Sequence, residues 1–232
     1  LLPYPPRVRA LASPVLADFV SWWDGLERDI VHFVTCKLYH PWLDPIFLGV
    51  QSQTLASILM GVLVAVLIIL KPRRGLRLLL TAGVALGIAM LLADLLWATV
   101  DRPRPPQAYD VVLTTPEELA RCAEYPDALP LRMHRAKSAS FPSRHGLSIG
   151  VLVTALLLAW RPVGWAALVY GAVAAVGRVY AGKHWASDVV AGILIGVALA
   201  LLAWRTLPRL LGRTRLGRFL QEEPPDAAPA AE

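Results

Sequence analysis

Cysteine is nearly missing from this chain, with Cys36 and Cys122 the only two in 232 residues. That excludes a disulfide-dense secreted scaffold and any four-cysteine zinc or iron–sulfur site. Whether the two pair is left open, with free, partly buried thiols as the default. Missing too is a set of His, Cys, Asp and Glu at metal-ligand spacing, so no metal and no other cofactor is expected. Acidic residues are outnumbered, 17 against 23 Lys and Arg. The basic residues nevertheless form no patch interleaved with aromatics, which argues against nucleic acid as a partner. No internal repeat is visible, and no secretory leader is read in the opening residues. Polarity is scarcest in the long apolar runs. Residues 55–70 carry no polar side chain after Ser57, whereas a water-soluble bundle needs a polar stripe on each helix.

What is abundant is apolar surface, at 56% of residues. Runs at 55–70, 78–100, 146–160, 163–181 and 189–204 approach bilayer length with their flanks. The expected fold class is therefore all-α, a polytopic membrane helical bundle of about five to six transmembrane helices plus an N-terminal interfacial helix. Residues 1–53 read as an irregular and interfacial amphipathic segment, 54–220 as the transmembrane catalytic domain, and 221–232 as a disordered cytoplasmic tail. Within the first, 14–39 carries Asp18, Asp24, Glu27, Arg28 and Asp29 among apolar residues, too many charges for a span. Trp22, Trp23 and Trp42 suit headgroup depth, as anchors or as a gate for lipid entry. The connection 101–141 is long enough to hold structure of its own, and both a lid and a plain surface connection fit it. Thr115-Pro-Glu-Glu118 predicts a capped short helix from Pro116 to about Glu124.

Basic residues fix the expected orientation. Lys71, Arg73, Arg74 and Arg77 follow the first run, Arg161 the third, and Arg205, Arg209, Arg213, Arg215 and Arg218 the last. If each run crosses once, these ends share one side, cytoplasmic by the positive-inside rule. Three polar clusters then converge on the outer face: Arg102-Pro-Arg-Pro, Pro142-Ser-Arg-His145, and Gly-Arg-Val-Tyr-Ala-Gly-Lys-His-Trp-Ala-Ser-Asp over 177–188. The expected location is a cytoplasmic (inner) membrane, with the site facing the periplasm or cell exterior.

Charges inside apolar segments are expensive, about 2.5–3.5 kcal/mol each on insertion scales, and mark function. His184 and Asp188 stand four apart, one helical face for an imidazole and its carboxylate. Arg104, Arg144 and Arg178 supply guanidinium forks for phosphate oxygens. Ser143 adds a hydroxyl at a helix start, where backbone N–H groups also meet anions. With His145 as a second imidazole, the set suits metal-free hydrolysis of a phosphomonoester or diphosphate, arginines serving for charge neutralisation.

These clusters resemble the signature of the type 2 phosphatidic acid phosphatase (PAP2) superfamily. Its pattern is Lys, six residues, Arg-Pro; then Pro-Ser-Gly-His; then Ser-Arg, five residues, His, three residues, Asp. Here it reads Trp97 to Arg104-Pro105, then Pro142-Ser143-Arg144-His145, then Gly177-Arg178 to His184 and Asp188. The resemblance implies that His184 attacks phosphorus and becomes phosphohistidine, with Asp188 orienting its ring. It implies that His145 protonates the leaving oxygen and later activates water, while Arg104, Ser143 and Arg178 hold phosphate oxygens. Three departures stand out: Trp97 for the lysine, Arg144 for the glycine and Gly177 for the serine. Arg144, Lys137 or Lys183 could restore the missing cation.

The expected function is hydrolysis of a lipid phosphate or diphosphate, with a lean to polyprenyl diphosphate. Phosphatidate, phosphatidylglycerol phosphate and a lipid A phosphate are also open. Alternatives are phosphotransfer to another lipid, or a catalytically weak lipid-phosphate binder or transporter. The partners expected are the phosphorylated lipid and membrane lipids; oligomeric state is open. Arg102 reads as structural, Lys183 as solvated, and Tyr180 and Trp185 as packing residues. An Arg178–Asp188 ion pair is the plainer reading of those two charges, and His32, His40 and His134 are ordinary polar residues.

Overall fold

The computed structural model describes residues 14–125, 128–131, 139–212 and 214–221. Lys137, His134, Arg213 and the tail beyond Gln221 lie outside the described residues. Helix α1 (Pro14–His32) runs into a π-helical turn (Phe33–Lys37), followed by the short α2 (Leu43–Gly49). The bundle proper is α3 (Gln53–Leu70), α4 (Pro72–Val100), α7 (Arg144–Ala159), α8 (Arg161–Tyr180) and α9 (Ala186–Leu210). The connection after α4 holds α5 (Pro105–Ala108) and α6 (Pro116–Ala120), and α10 (Arg215–Gln221) closes the described chain.

All five apolar runs are helices. Three of them, α4, α8 and α9, are long and apolar enough to cross a membrane, while α3 and α7 are apolar but shorter. Proline makes two of the turns. Pro72 and Pro162 sit in first turns, where a missing N–H does no harm, and the residues ahead of those helices, Lys71 (φ −143°) and Trp160 (φ −154°), are non-helical.

The α7–α9 pair is the centre of the bundle. Gly146 and Gly150 on α7 face Gly192 and Gly196 on α9, a small-residue stripe on both partners. A Cβ at 150 would lie 2.2 Å from the Ile193 carbonyl oxygen, and one at 196 would lie 2.3 Å from that of Leu147. Only backbones without Cβ atoms approach so closely. Ala85, Ala89 and Ala93 of α4 pack into the same seam with Leu147, Val151 and Ala200.

The two ends of the bundle differ. At one, Leu67, Leu78 and Leu156 pack with Trp160 and Trp204. There Arg77 lies 3.9 Å over the Trp204 ring, and Arg73 lies 5.2 Å over Phe219 of α10. The other end gathers all three polar clusters. Helix α1 docks on it with three of its charged residues inward: Asp24 and Glu27 are buried and Arg28 donates to the Ala108 carbonyl at 3.1 Å, while Asp18, Asp29, Phe19 and Trp22 are exposed. Exposed aromatics at that level suit headgroup depth.

The 101–141 connection is structured. Strands β1 (Val111–Leu113) and β2 (Ala128–Pro130) pair in parallel, Val111 opposite Ala128. The predicted cap forms, Thr115 Oγ1 accepting from the Glu118 N–H at 3.2 Å. The helix is shorter than expected, ending at Ala120 and passing into a 3-10 turn at Cys122–Glu124. The free-thiol default gives way: Cys36 and Cys122 form a disulfide, their Cα atoms 5.4 Å apart, which ties the connection to the turn after α1.

Candidate active site

The turn from α8 to α9 presents His184. Gly182 makes it possible, with φ at +69° and a Cβ position only 2.6 Å from the Pro130 oxygen, so a side chain there meets both strain and backbone. His184 is 2% exposed. Its Nδ1 lies 3.0 Å from the Ser140 carbonyl oxygen, which can only accept, so Nδ1 carries the proton. Its Nε2 therefore has the lone pair, and the Arg104 guanidinium, which can only donate, stands 3.1 Å from it. The ring is held in the tautomer a nucleophile needs. Burial pushes its pKa down to about 4, Arg104 and Arg178 adding to the effect and Asp188 opposing it.

Asp188 serves a different contact from the one the spacing suggested. Its Oδ2 lies 3.9 Å from His184 Nδ1, beyond a hydrogen bond. Oδ2 instead accepts from Ser140 Oγ at 2.5 Å and from the Trp185 N–H at 3.2 Å, where it caps the start of α9. Oδ1 accepts from Arg102 at 2.6 Å. The ion-pair partner of Asp188 is thus Arg102, not Arg178. Arg102 also donates to Ser187 Oγ at 2.7 Å and reaches Glu27 of α1 at 3.4 Å. Burial raises the Glu27 pKa, with Arg102 opposing.

Ser143 is the N-cap of α7. Its Oγ accepts from the Gly146 N–H at 3.3 Å, and its own N–H donates to the Asp188 carbonyl at 3.1 Å. The hydroxyl proton is what it can offer an anion. His145, in the first turn of α7, is within electrostatic reach of His184, Arg178, Arg104 and Lys183. Arg178, buried near the end of α8, donates one N–H to Gln51 Oε1 at 2.9 Å. Arg104 also donates to the Lys183 carbonyl at 2.9 Å. Lys183 itself is half-buried rather than solvated, its pKa lowered by burial and by Arg178 and Arg104. Cations crowded in this way call for an anion.

Arg144 is not drawn into this group. It pairs with Asp94 of α4 and lies 4.0 Å over the Trp97 ring, and Arg104 stands 5.9 Å from that ring. Trp97 donates to the Pro142 carbonyl at 3.0 Å. Trp185 and Tyr180 are buried and hydrogen-bonded, Trp185 to the Pro103 carbonyl and Tyr180 to Asp44. Sequence reasoning missed three residues: Ser140, Glu27 and Gln51. Ser140 stands three positions before Ser143 and was within sight of the motif, whereas Glu27 and Gln51 arrive from the N-terminal segment and carried no local signal.

Fold and site together define a membrane-associated helical bundle with a buried imidazole inside a nest of cations. The chain belongs to the PAP2 superfamily, whose family model matches residues 78–211. It is 39% identical over 74 residues to the bacitracin transport permease protein BcrC of Bacillus licheniformis, covering 31% of this chain and 35% of that protein. It is 29% identical over 70 residues to the undecaprenyl-diphosphatase BcrC of Bacillus subtilis (strain 168), covering 30% and 36%. The matched stretch thus spans about a third of the length of these curated relatives. The fold is that of the transmembrane PAP2-type phosphatidylglycerolphosphate phosphatase of Bacillus subtilis, with a TM-score of 0.59 and 19% identity over 89% of this chain and 92% of that one. It is also that of Aquifex aeolicus LpxE, at a TM-score of 0.57 and 19% identity over 75% and 92%.

Proposed function

We propose that this protein is a membrane lipid phosphatase that hydrolyses a polyprenyl diphosphate through a phosphohistidine intermediate. The observation that carries it is the tautomer of His184, its Nε2 lone pair turned toward Arg104 beside Arg178 and His145. The terminal phosphate displaces Arg104 from Nε2 and takes its donors, with the Arg178 guanidinium, the Ser143 hydroxyl and the first N–H groups of α7. Nε2 attacks phosphorus in line, and the bond to the bridging oxygen breaks. His145 gives that oxygen its proton, so the lipid monophosphate leaves. His145, now neutral, takes a proton from water, which attacks the phosphohistidine and releases inorganic phosphate and free His184. Asp188 stabilises the charge on the ring at a distance, and the Ser140 carbonyl holds the ring in place.

The diphosphate lean is supported by the undecaprenyl-diphosphatase among the relatives and by Arg144, which waits outside the pocket on Trp97 where a second phosphate could draw it from Asp94. The basic end of the bundle supports a cytoplasmic side opposite the site, and hence chemistry at the outer face. The relative named a bacitracin transport permease favours a second reading, a lipid-phosphate transporter.

Phosphate release from a panel of lipid phosphates and diphosphates, in detergent with EDTA, separates the two. Wild type is expected to release phosphate selectively from the polyprenyl diphosphate, and His184→Ala to release none. Equal release by His184→Ala refutes the histidine mechanism, and no release by wild type from any lipid favours binding or phosphotransfer.

A further inference from the structure

Gly177 and Gln51 answer each other across the fold. At 177 the chain departs from the family's serine, and the place of that side chain is taken: a Cβ there would meet the Phe47 carbonyl oxygen at 2.8 Å and Gln51 Nε2 at 3.1 Å. Gln51 is 8% exposed and comes from the segment between α2 and α3. Its Nε2 donates to the Gly177 carbonyl at 2.7 Å and to the Phe47 carbonyl at 2.9 Å. Those two bonds fix which way the carboxamide faces, and its Oε1 then accepts from Arg178 at 2.9 Å. The segment that delivers Gln51 is itself pinned along α8. Tyr180 donates to Asp44 at 2.5 Å, Tyr170 donates to the Val50 carbonyl at 2.8 Å, and the Phe47 and Tyr180 rings lie 4.8 Å apart.

We propose that Gln51 is a positioning residue for phosphate binding, acting through Arg178. With one terminal N–H held by Gln51, the guanidinium plane is set. Its Nε, buried and without a hydrogen-bond partner in the structure described, remains among the donors for a phosphate oxygen. A planar fork aligned in advance loses less freedom when the anion arrives. Gln51 lies outside the span matched by the family model, so this phosphate site is completed from the N-terminal segment. The inference rests on the phosphatase reading above, but its test does not require turnover.

The test uses the full chain in detergent with inorganic phosphate as the probe, read as thermal protection and as competitive inhibition of phosphate release. Gln51→Met keeps the side-chain length and removes every polar atom. It is expected to weaken phosphate protection and raise KM by about 10- to 100-fold, the worth of one hydrogen bond to a charged group, with a smaller change in kcat. In an Arg178→Ala background the same change is expected to add less than about two-fold. Wild-type phosphate protection in Gln51→Met, or an undiminished further loss in the Arg178→Ala background, overturns the proposal. Should Gln51→Met not fold, Gln51→Glu decides. Its carboxylate stays on Arg178 and competes with phosphate, while the oxygen in place of Nε2 can no longer donate to the Gly177 and Phe47 carbonyls. The melting temperature falls, and the further shift that phosphate adds to the variant's own melting temperature is expected to be smaller than in wild type. Wild-type protection in Gln51→Glu overturns the proposal too. If wild type is protected by phosphate yet cleaves no lipid, the phosphatase reading fails while these comparisons still decide the role of Gln51. If phosphate does not protect wild type, the proposal fails.

Discussion

Removing Arg102 tests whether this arginine holds the site together or holds the substrate. Its guanidinium lies between two buried carboxylates, Asp188 at 2.6 Å and Glu27 at 3.4 Å, with side-chain exposures of 6%, 0% and 3% for Arg102, Asp188 and Glu27. Arg102→Ala leaves Asp188 with Ser140 and the Trp185 N–H but no cation, and leaves Glu27 with the Ser187 N–H at 3.0 Å. Breaking a buried pair by removing one partner costs about 3–5 kcal/mol, because the charge left behind is uncompensated. At ~2–4 °C per kcal/mol for a chain of this length, the melting temperature should fall by about 6–20 °C. Glu27→Gln in the Arg102→Ala background should recover part of that loss, since it removes one of the two stranded charges. The assay is thermal unfolding in detergent beside phosphate-release kinetics. A melting temperature within about 2 °C of wild type with a large rise in KM would refute the reasoning and make Arg102 a phosphate ligand.

Other expectations follow from the same geometry. Gly150→Leu drives a side chain against the Ile193 carbonyl and should abolish the folded, monodisperse species in size-exclusion chromatography, whereas Gly83→Leu, where a Cβ meets nothing within 4 Å, should be tolerated. His184 is neutral in the folded protein, with its pKa at about 4 against roughly 6.5 unfolded. The unfolded chain therefore binds the extra proton between those values, so this term of stability is complete above pH ~6.5 and lost as pH falls toward ~4. His184→Ala should make the acid-side fall in melting temperature shallower, and the nucleophile should impose no acid limb on wild-type kcat/KM until below about pH 5. Trp97→Lys removes the ring beneath Arg144 and the bond to Pro142 and adds a further cation beside Arg104 and Arg144. A fall of about ten-fold in kcat/KM is expected, and a rise would show that this site accepts the family's lysine as it stands.

The division between sequence and tertiary structure follows the range of the forces involved. Helices and the Thr115 cap depend on neighbours a few residues away, so hydrophobic runs and local motifs were enough to read them. The family, too, was legible, because Arg104, Ser143, His145, Arg178, His184 and Asp188 stand in the order and spacing of the family's motifs. Contacts across the chain were not legible. His184 and Asp188, four apart, suggested a hydrogen-bonded pair, yet the fold gives the Nδ1 proton to the Ser140 carbonyl and Asp188 to Arg102. Arg144, beside the motif, turns to Asp94, while Gln51, 127 residues away, meets Arg178. Cys36 and Cys122 pair across 86 positions that carry no spacing rule. Residue type and local period decided which groups this protein has; only the close approach of glycine-faced helices and the docking of the N-terminal segment decided which of them touch.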